Sequence, residues 1–156
     1  MRYKKGNEIE VFRNDEVPSG SWRCAKIICG NGHYYSIRCN MGSKDEVIFE
    51  RVSRQLIRPC PPVVQISGSW MPGDVVEVLQ NDSWKMATVT RVLRGNQFLV
   101  RLVGSLNEFK VRKFDIRLRQ SWVDGKWVVV GKGPIGGSHI LISSKGDVGF
   151  ASLILM

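Results

Sequence analysis

One small unit is written twice along this chain, and that repetition limits the possible folds more than any other feature. KKGNEIEVF at 4–12 matches MPGDVVEVL at 71–79, with Glu10 and Glu77 in step. GSWRCAKII at 20–28 then matches DSWKMATVT at 82–90, and GHYYSIR at 32–38 matches GNQFLVR at 95–101. Finally, FERVSRQLIRP at 49–59 matches EFKVRKFDIRL at 108–118. The blocks keep their order at offsets of 59 to 67 residues. Within each copy the apolar residues have period two: Ile9 and Val11, Tyr35 and Ile37, then Val76 and Val78, Phe98 and Val100. Gly30-Asn31-Gly32 and Gly95-Asn96 mark turns between the runs. Short alternating runs without a helical period predict an all-β chain, each copy a small antiparallel barrel of about five strands. So small a barrel buries little surface alone, so the copies are expected to pack together.

The expected boundaries are a first domain at 1–62, a second at 68–130 and a glycine-rich tail at 131–156, a candidate for disorder. QSWVDGKWVVV at 120–130 reads as a closing element whose tryptophans cover the second barrel or the joint. The tail contains the letters of a dinucleotide fingerprint at Gly131, Gly133 and Gly136. That motif works between a strand and a helix, where backbone N–H groups meet pyrophosphate. Here Pro134 removes an N–H and no helical pattern follows, so a loop is expected and no cofactor.

With 23 Lys and Arg against 14 Asp and Glu, the net charge is +9. Split at PCPP (59–62), the first part holds 11 cations and 7 anions, the rest 12 and 7. The excess is therefore spread over both copies and favours an anionic partner, nucleic acid being the commonest. No apolar run reaches the length of a membrane span, and Met1-Arg2-Tyr3-Lys4-Lys5 does not open a secretion signal. Reduced thiols are expected. Cys24, Cys29, His33 and Cys39 have a loose zinc-knuckle look, but Cys24 and Cys29 fall on opposite faces of one strand, so no metal is expected. With two histidines, no clustered carboxylates and no nucleophile motif, the expectation is a protein that is not an enzyme and has no small-molecule substrate.

Taken together, IRPCPP at 57–62, GDVVEV at 73–78 and LRQSWVDGKW at 118–127 give the chain a family likeness. Over about residues 3 to 133 it resembles the tandem Agenet domains of plant proteins, the plant branch of the Tudor-like Royal group. The resemblance implies two tandem SH3-like, Tudor-like barrels. It also implies a non-catalytic nuclear module that binds a histone tail, methyl-lysine in particular, or another chromatin protein; related modules bind RNA. Methyl-lysine readers hold the ammonium between ring faces, each contact contributing about 0.5–2 kcal/mol.

In the family, a second aromatic follows the tryptophan of the second strand and an aromatic ends the third strand. Here the first slot holds Arg23 and Lys85, the second Cys39 and Leu102. Both copies thus lack two expected rings, and a cation stands where a cation would dock. The remaining ring candidates are Tyr3, Phe12, Trp22, Tyr34 and Phe49 in copy one, and Trp70, Trp84 and Phe109 in copy two. Asp45, Glu50 and Glu108 are the candidate carboxylates, with Asp15, Glu16 and Asp82 nearby. Trp22 and Trp84 lie opposite Ala25 and Ala87 and are expected to pack between elements. For RNA or DNA the candidates are Arg23, Lys26 and Arg38 in copy one, and Lys85, Arg91, Arg94, Arg101, Lys110, Arg112 and Lys113 in copy two. The two ligand classes remain alternatives at this point, beside a protein-interaction scaffold that binds no methyl-lysine.

Overall fold

The computed structural model describes residues 2–15, 17–40, 46–66 and 68–131, and the backbone of 139–142. Glu16, Asp45 and the tail positions Gly133, Pro134 and Gly136 lie outside the described residues. Barrel one comprises β1 (Glu8–Arg13), β2 (Ser21–Gly30), β3 (Tyr34–Asn40), β4 (Val47–Ser53) and β5 (Ile57–Pro59). Barrel two repeats the series as β6 (Val75–Gln80), β7 (Ser83–Val92), β8 (Gln97–Leu102), β9 (Glu108–Arg112) and β10 (Ile116–Arg117). In each, the long second strand pairs with the first and third, the third with the fourth, and the short fifth returns to the first.

The repeat extends to details. Lys4–Asn7 and Met71–Asp74 close as turns, each with a 3.0 Å backbone hydrogen bond, and each needs glycine because φ is +86° at Gly6 and +94° at Gly73. The register shifts between Ile27 and Cys29 in β2 and at the equivalent Val89 to Arg91 in β7. Such a bulge bends the strand, which lets five short strands close. The inward residues make two cores. Ile9, Val11, Ile27, Tyr35, Ile37 and Val52 anchor the first; Val76, Val78, Val89, Phe98, Val100 and Val111 anchor the second.

The barrels fuse through the starts of their second strands. β2 and β7 pair antiparallel, with Ser21 opposite Lys85, Trp22 opposite Trp84 and Arg23 opposite Ser83. Equivalent residues thus meet across an approximate two-fold axis between the two tryptophans, and all ten strands form one sheet. A second sheet, β11 (Gln120–Val123), β12 (Lys126–Val130) and β13 (His139–Ile142), closes the molecule. Trp127 and Val129 complete the second core, with Trp122 packed against it. At the joint, Gln120 accepts from Arg58 through its carbonyl (3.2 Å) and donates from its side chain to the Pro62 carbonyl (2.9 Å). The tryptophan hairpin therefore covers both the second barrel and the joint.

Candidate functional site

At the joint, the residues that the repeat keeps in step meet one another. Glu10 of β1 and Glu77 of β6 face Arg58 and Arg117, the arginines of the two Ile-Arg endings. Glu10 Oε1 accepts from Arg58 Nε and from Arg117 Nη2, each at 3.0 Å, and Oε2 accepts from Arg117 Nη1 at 2.7 Å. Glu77 Oε1 accepts from Arg117 Nε at 3.0 Å, while Oε2 lies 3.7 Å from Arg58 Nη2. Each guanidinium also lies over its own copy's tryptophan, Arg58 at 3.8 Å from the Trp22 centroid and Arg117 at 4.0 Å from Trp84. Arg58 further approaches Trp127 at 5.1 Å. Glu10, Arg58 and Glu77 are buried and Arg117 is half-buried, so the charges must be paired. Burial raises the Glu77 carboxyl above its ordinary value, opposed by Arg117 and Arg58. Burial also lowers Arg58, whereas in Arg117 the hydrogen bond to Glu10 and the charge of Glu77 outweigh it. These tryptophans and charges hold the joint, and Trp22, Arg58 and Glu77 also line a cleft of about 340 Å³ with Gln120 and Trp122.

The barrel mouths are the next place to seek a ligand, and polar groups occupy them. In barrel one, Arg13 at the end of β1 forms a forked ion pair with Glu50 of β4, its Nη1 donating to Oε1 at 3.1 Å. Buried Cys39 adjoins the pair, its thiol pushed up by burial and pulled back by Arg13. Arg23, only 6% exposed, donates to the Asn40 carbonyl at 3.1 Å and to the Asn81 carbonyl of the other copy at 3.3 Å. In barrel two, Lys85 is equally buried and donates to Gln80 Oε1 at 3.1 Å. Leu102 and Val17, the latter from the β1–β2 loop of the first copy, belong to the second core, and Phe109 packs on it. Pro18 of the same loop sits so close to Gly104 that a Cβ there would come within 3.2 Å.

The Agenet domain model matches this chain twice, at residues 6–62 and 73–128. The chain is 30% identical over 129 residues to Protein AGENET DOMAIN (AGD)-CONTAINING P1 of Arabidopsis thaliana. That match takes in 79% of this chain and 25% of the relative, so the chain spans about a quarter of its length. The chain belongs to the Agenet domain family. Its fold is also that of solved tandem Agenet pairs. The crystal structure of Arabidopsis thaliana AGDP1 AGD34 matches with TM-score 0.69 at 24% identity, over 80% of this chain and 88% of that one. ADCP1 tandem Agenet domain 3-4 matches with TM-score 0.65 at 22% identity, over 80% and 86%. The two barrels are tandem Agenet domains of the Tudor-like class.

Against the Agenet pattern, the ring candidates disperse. Tyr3 and Trp70 are buried in the two cores, and Trp22 and Trp84 lie half-buried in the joint, where Phe12 packs edge-on to Trp22. Tyr34, 50% exposed, and Phe49, 69% exposed, lie on the outside of barrel one. Among the described candidates, Glu50 and Phe109 alone point toward a mouth, and Glu108 faces out opposite Arg101. Arg23 and Lys85 are corrected as nucleic-acid contacts, since both are buried and bonded within the protein. Lys26, Arg38, Arg101, Lys110, Arg112 and Lys113 are exposed. On barrel two, Arg91, Leu99 and Lys110 form one cross-strand row and Gln97 and Arg112 the next. Arg94, Lys113 and an 89% exposed Phe114 lie beside them, the Lys113 amide donating to Asn96 at 2.9 Å. The knuckle set does not converge: Cys39 is in core one, Cys29 is exposed, Cys24 lines a pocket with Cys60, and among the described residues no three His, Cys, Asp or Glu are placed to hold a metal ion.

Sequence reasoning missed Arg13 and the four-charge joint. The second was readable, because Glu10 with Glu77 and Arg58 with Arg117 are repeated pairs. Arg13 had no signal, because its counterpart in the other copy is Gln80.

Proposed function

We propose that this chain is a non-catalytic, nuclear, chromatin-associated binding module that holds a histone tail or another chromatin protein without a methyl-lysine cage. Agenet membership supports the class of function. The state of the mouths carries the rest, since the Arg13–Glu50 pair with Arg23 fills one and Val17, Lys85 and Leu102 fill the other. A quaternary ammonium entering either mouth would meet a fixed cation and at most the one ring of Phe109 in barrel two, and would forgo about 0.5–2 kcal/mol per missing contact. Titrating the whole chain with histone H3 peptides, unmodified and trimethylated, tests this. Equal affinities are expected, and a tenfold preference for the methylated peptide would overturn it.

A second reading, nucleic-acid binding, rests on a separate observation. Arg91, Arg94, Lys110, Arg112 and Lys113 share one side of barrel two, and none makes an ion pair among the described residues. Phosphate contacts release counterions, so affinity should fall by about 0.9 log units per log unit of salt for each duplex phosphate engaged. A flat salt response would reject this reading.

A further inference from the structure

We propose that the outer face of β2, β3 and β4 in barrel one is a stacking platform for single-stranded nucleic acid. The proposal rests on the nucleic-acid reading above but assigns it a second surface of different chemistry. Period two turns Tyr34, Ser36, Arg38 and Asn40 of β3 outward, with Val47, Phe49, Arg51 and Ser53 of β4 beside them. Lys26, Arg38 and Phe49 form one row, Cys29, Ser36 and Arg51 the next, and Tyr34 with Ser53 the last. No outward position of β3 or β4 carries an acid.

Two large rings remain in water on this face, Phe49 at 69% and Tyr34 at 50% exposure. The strand rise separates them by about 14 Å, with Arg51 between them. The Arg51 guanidinium lies 4.9 Å from the Tyr34 centroid, and Arg38 stands opposite Phe49. Tyr34 also lines a groove of about 1120 Å³ with His33, Arg54, Trp122 and one carboxylate, Asp124.

Rings alternating with cations suit a strand whose bases are free to stack while its phosphates follow the charges. A duplex hides the base faces and could use only the cations. The equivalent rows on barrel two are Thr88–Arg101–Glu108, Arg91–Leu99–Lys110 and Gln97–Arg112. These rows have cations but no ring within them, the exposed Phe114 lying beside them in the turn after β9, and Glu108 takes the place of Phe49. The two faces therefore serve as mutual controls.

The test uses the whole chain with fluorescein-labelled oligo-dT and oligo-U of about 12 nucleotides, inside the 4–16 span of such sites, and duplex DNA of equal length. Fluorescence anisotropy is read across a salt series. Tighter binding of the single strands is expected at matched salt. Phe49→Ala and Tyr34→Ala should each lower single-strand affinity about tenfold, leaving duplex affinity and thermal unfolding unchanged, and Phe49→Trp should restore it. Arg38→Ala and Arg51→Ala should each flatten the single-strand salt slope by about 0.7. If the ring variants bind like the parent while Lys110→Ala and Arg112→Ala bind poorly, the platform is wrong and barrel two alone binds. If the ring variants instead lose a histone peptide and keep the oligonucleotides, the face is a protein site and the proposal falls. No binding of any strand at low salt would remove both the platform and the reading beneath it.

Discussion

The joint and the mouths of this molecule come from the same duplicated strands, yet the two copies agree at one and diverge at the other. At the joint the paired charges and their stacked rings have twins: Glu10 and Glu77, Trp22 and Trp84, Arg58 and Arg117. At the mouths Arg13 answers to Gln80, Cys39 to Leu102 and Glu50 to Phe109. The connection into the second strand differs as well, residues 14–20 in copy one against Asn81–Asp82 in copy two. Around an approximate two-fold axis, a residue's environment is made by its own twin, so one change disturbs both halves. A mouth touches no equivalent of itself and can drift. The mouths and outer faces are therefore where ligand choice can differ between the barrels.

The sharpest way to break this contrast is at Glu10, the carboxylate that hydrogen-bonds both arginines. Glu10→Ala leaves Arg58 and Arg117 sharing Glu77, and removing one partner of a buried charge set costs about 3–5 kcal/mol. The shift in the urea midpoint reads it, and a loss below about 1 kcal/mol would show that the joint does not depend on its charges. Replacing the whole set by apolar residues of similar size is a different matter, since the desolvation cost of the charges vanishes with their attraction.

Most of the fold was legible because the repeat fixed strand order and period two fixed which face of each strand is buried. Ile9, Val11, Ile37 and Val78 need no more than alternation to be placed. The joint was legible in part. The alternation put Trp22 and Trp84 between elements, but no local pattern shows that Arg58, forty-eight residues from Glu10, will stack on Trp22 and pair with that carboxylate. The mouths were legible least. Alternation puts Arg23 in the mouth-facing slot of the second strand, but strand position gives the face and not the depth. Its burial comes from the Asn81–Asp82 turn of the other copy, whose two residues take positive φ and lay the Asn81 and Asp82 carbonyls against β2. Val17 was invisible for the same reason, as a loop residue of one barrel completing the core of the other.

Arg23 and Lys85 occupy twin positions but bond differently, which separates position from role. Arg23 spans both copies, whereas Lys85 donates to Gln80 of its own barrel. Arg23→Met should cost about 1.5–3 kcal/mol, the range for hydrogen bonds to a charged group, and more than Lys85→Met in the same urea titration. Equal costs would mean that the bridge between copies adds nothing. Val17→Ala comes next, at about 1–2 kcal/mol for the lost methyl groups, also read by urea. It should leave oligonucleotide binding unchanged, because Val17 lies in a core and on neither outer face.

The smallest effect tests the inequality inside the joint. Glu10 accepts three hydrogen bonds from two arginines, whereas Glu77 accepts one and has Arg58 at 3.7 Å. Burial holds the Glu77 carboxyl above its ordinary value. The folded chain thus binds this proton more tightly than the unfolded chain does. Its contribution to stability is full below the unfolded carboxyl range and is lost as pH rises through the folded value. Glu77→Gln fixes the uncharged form, so at pH 7 it should be at least as stable as the parent, with the difference closing as pH falls toward the ordinary carboxyl range. Glu10→Gln should cost stability at pH 7, because its oxygens answer two guanidinium groups. Equal and opposite behaviour of the two variants would confirm that the twin positions carry different loads. Equal losses would show instead that the joint is as symmetric in energy as it is in sequence.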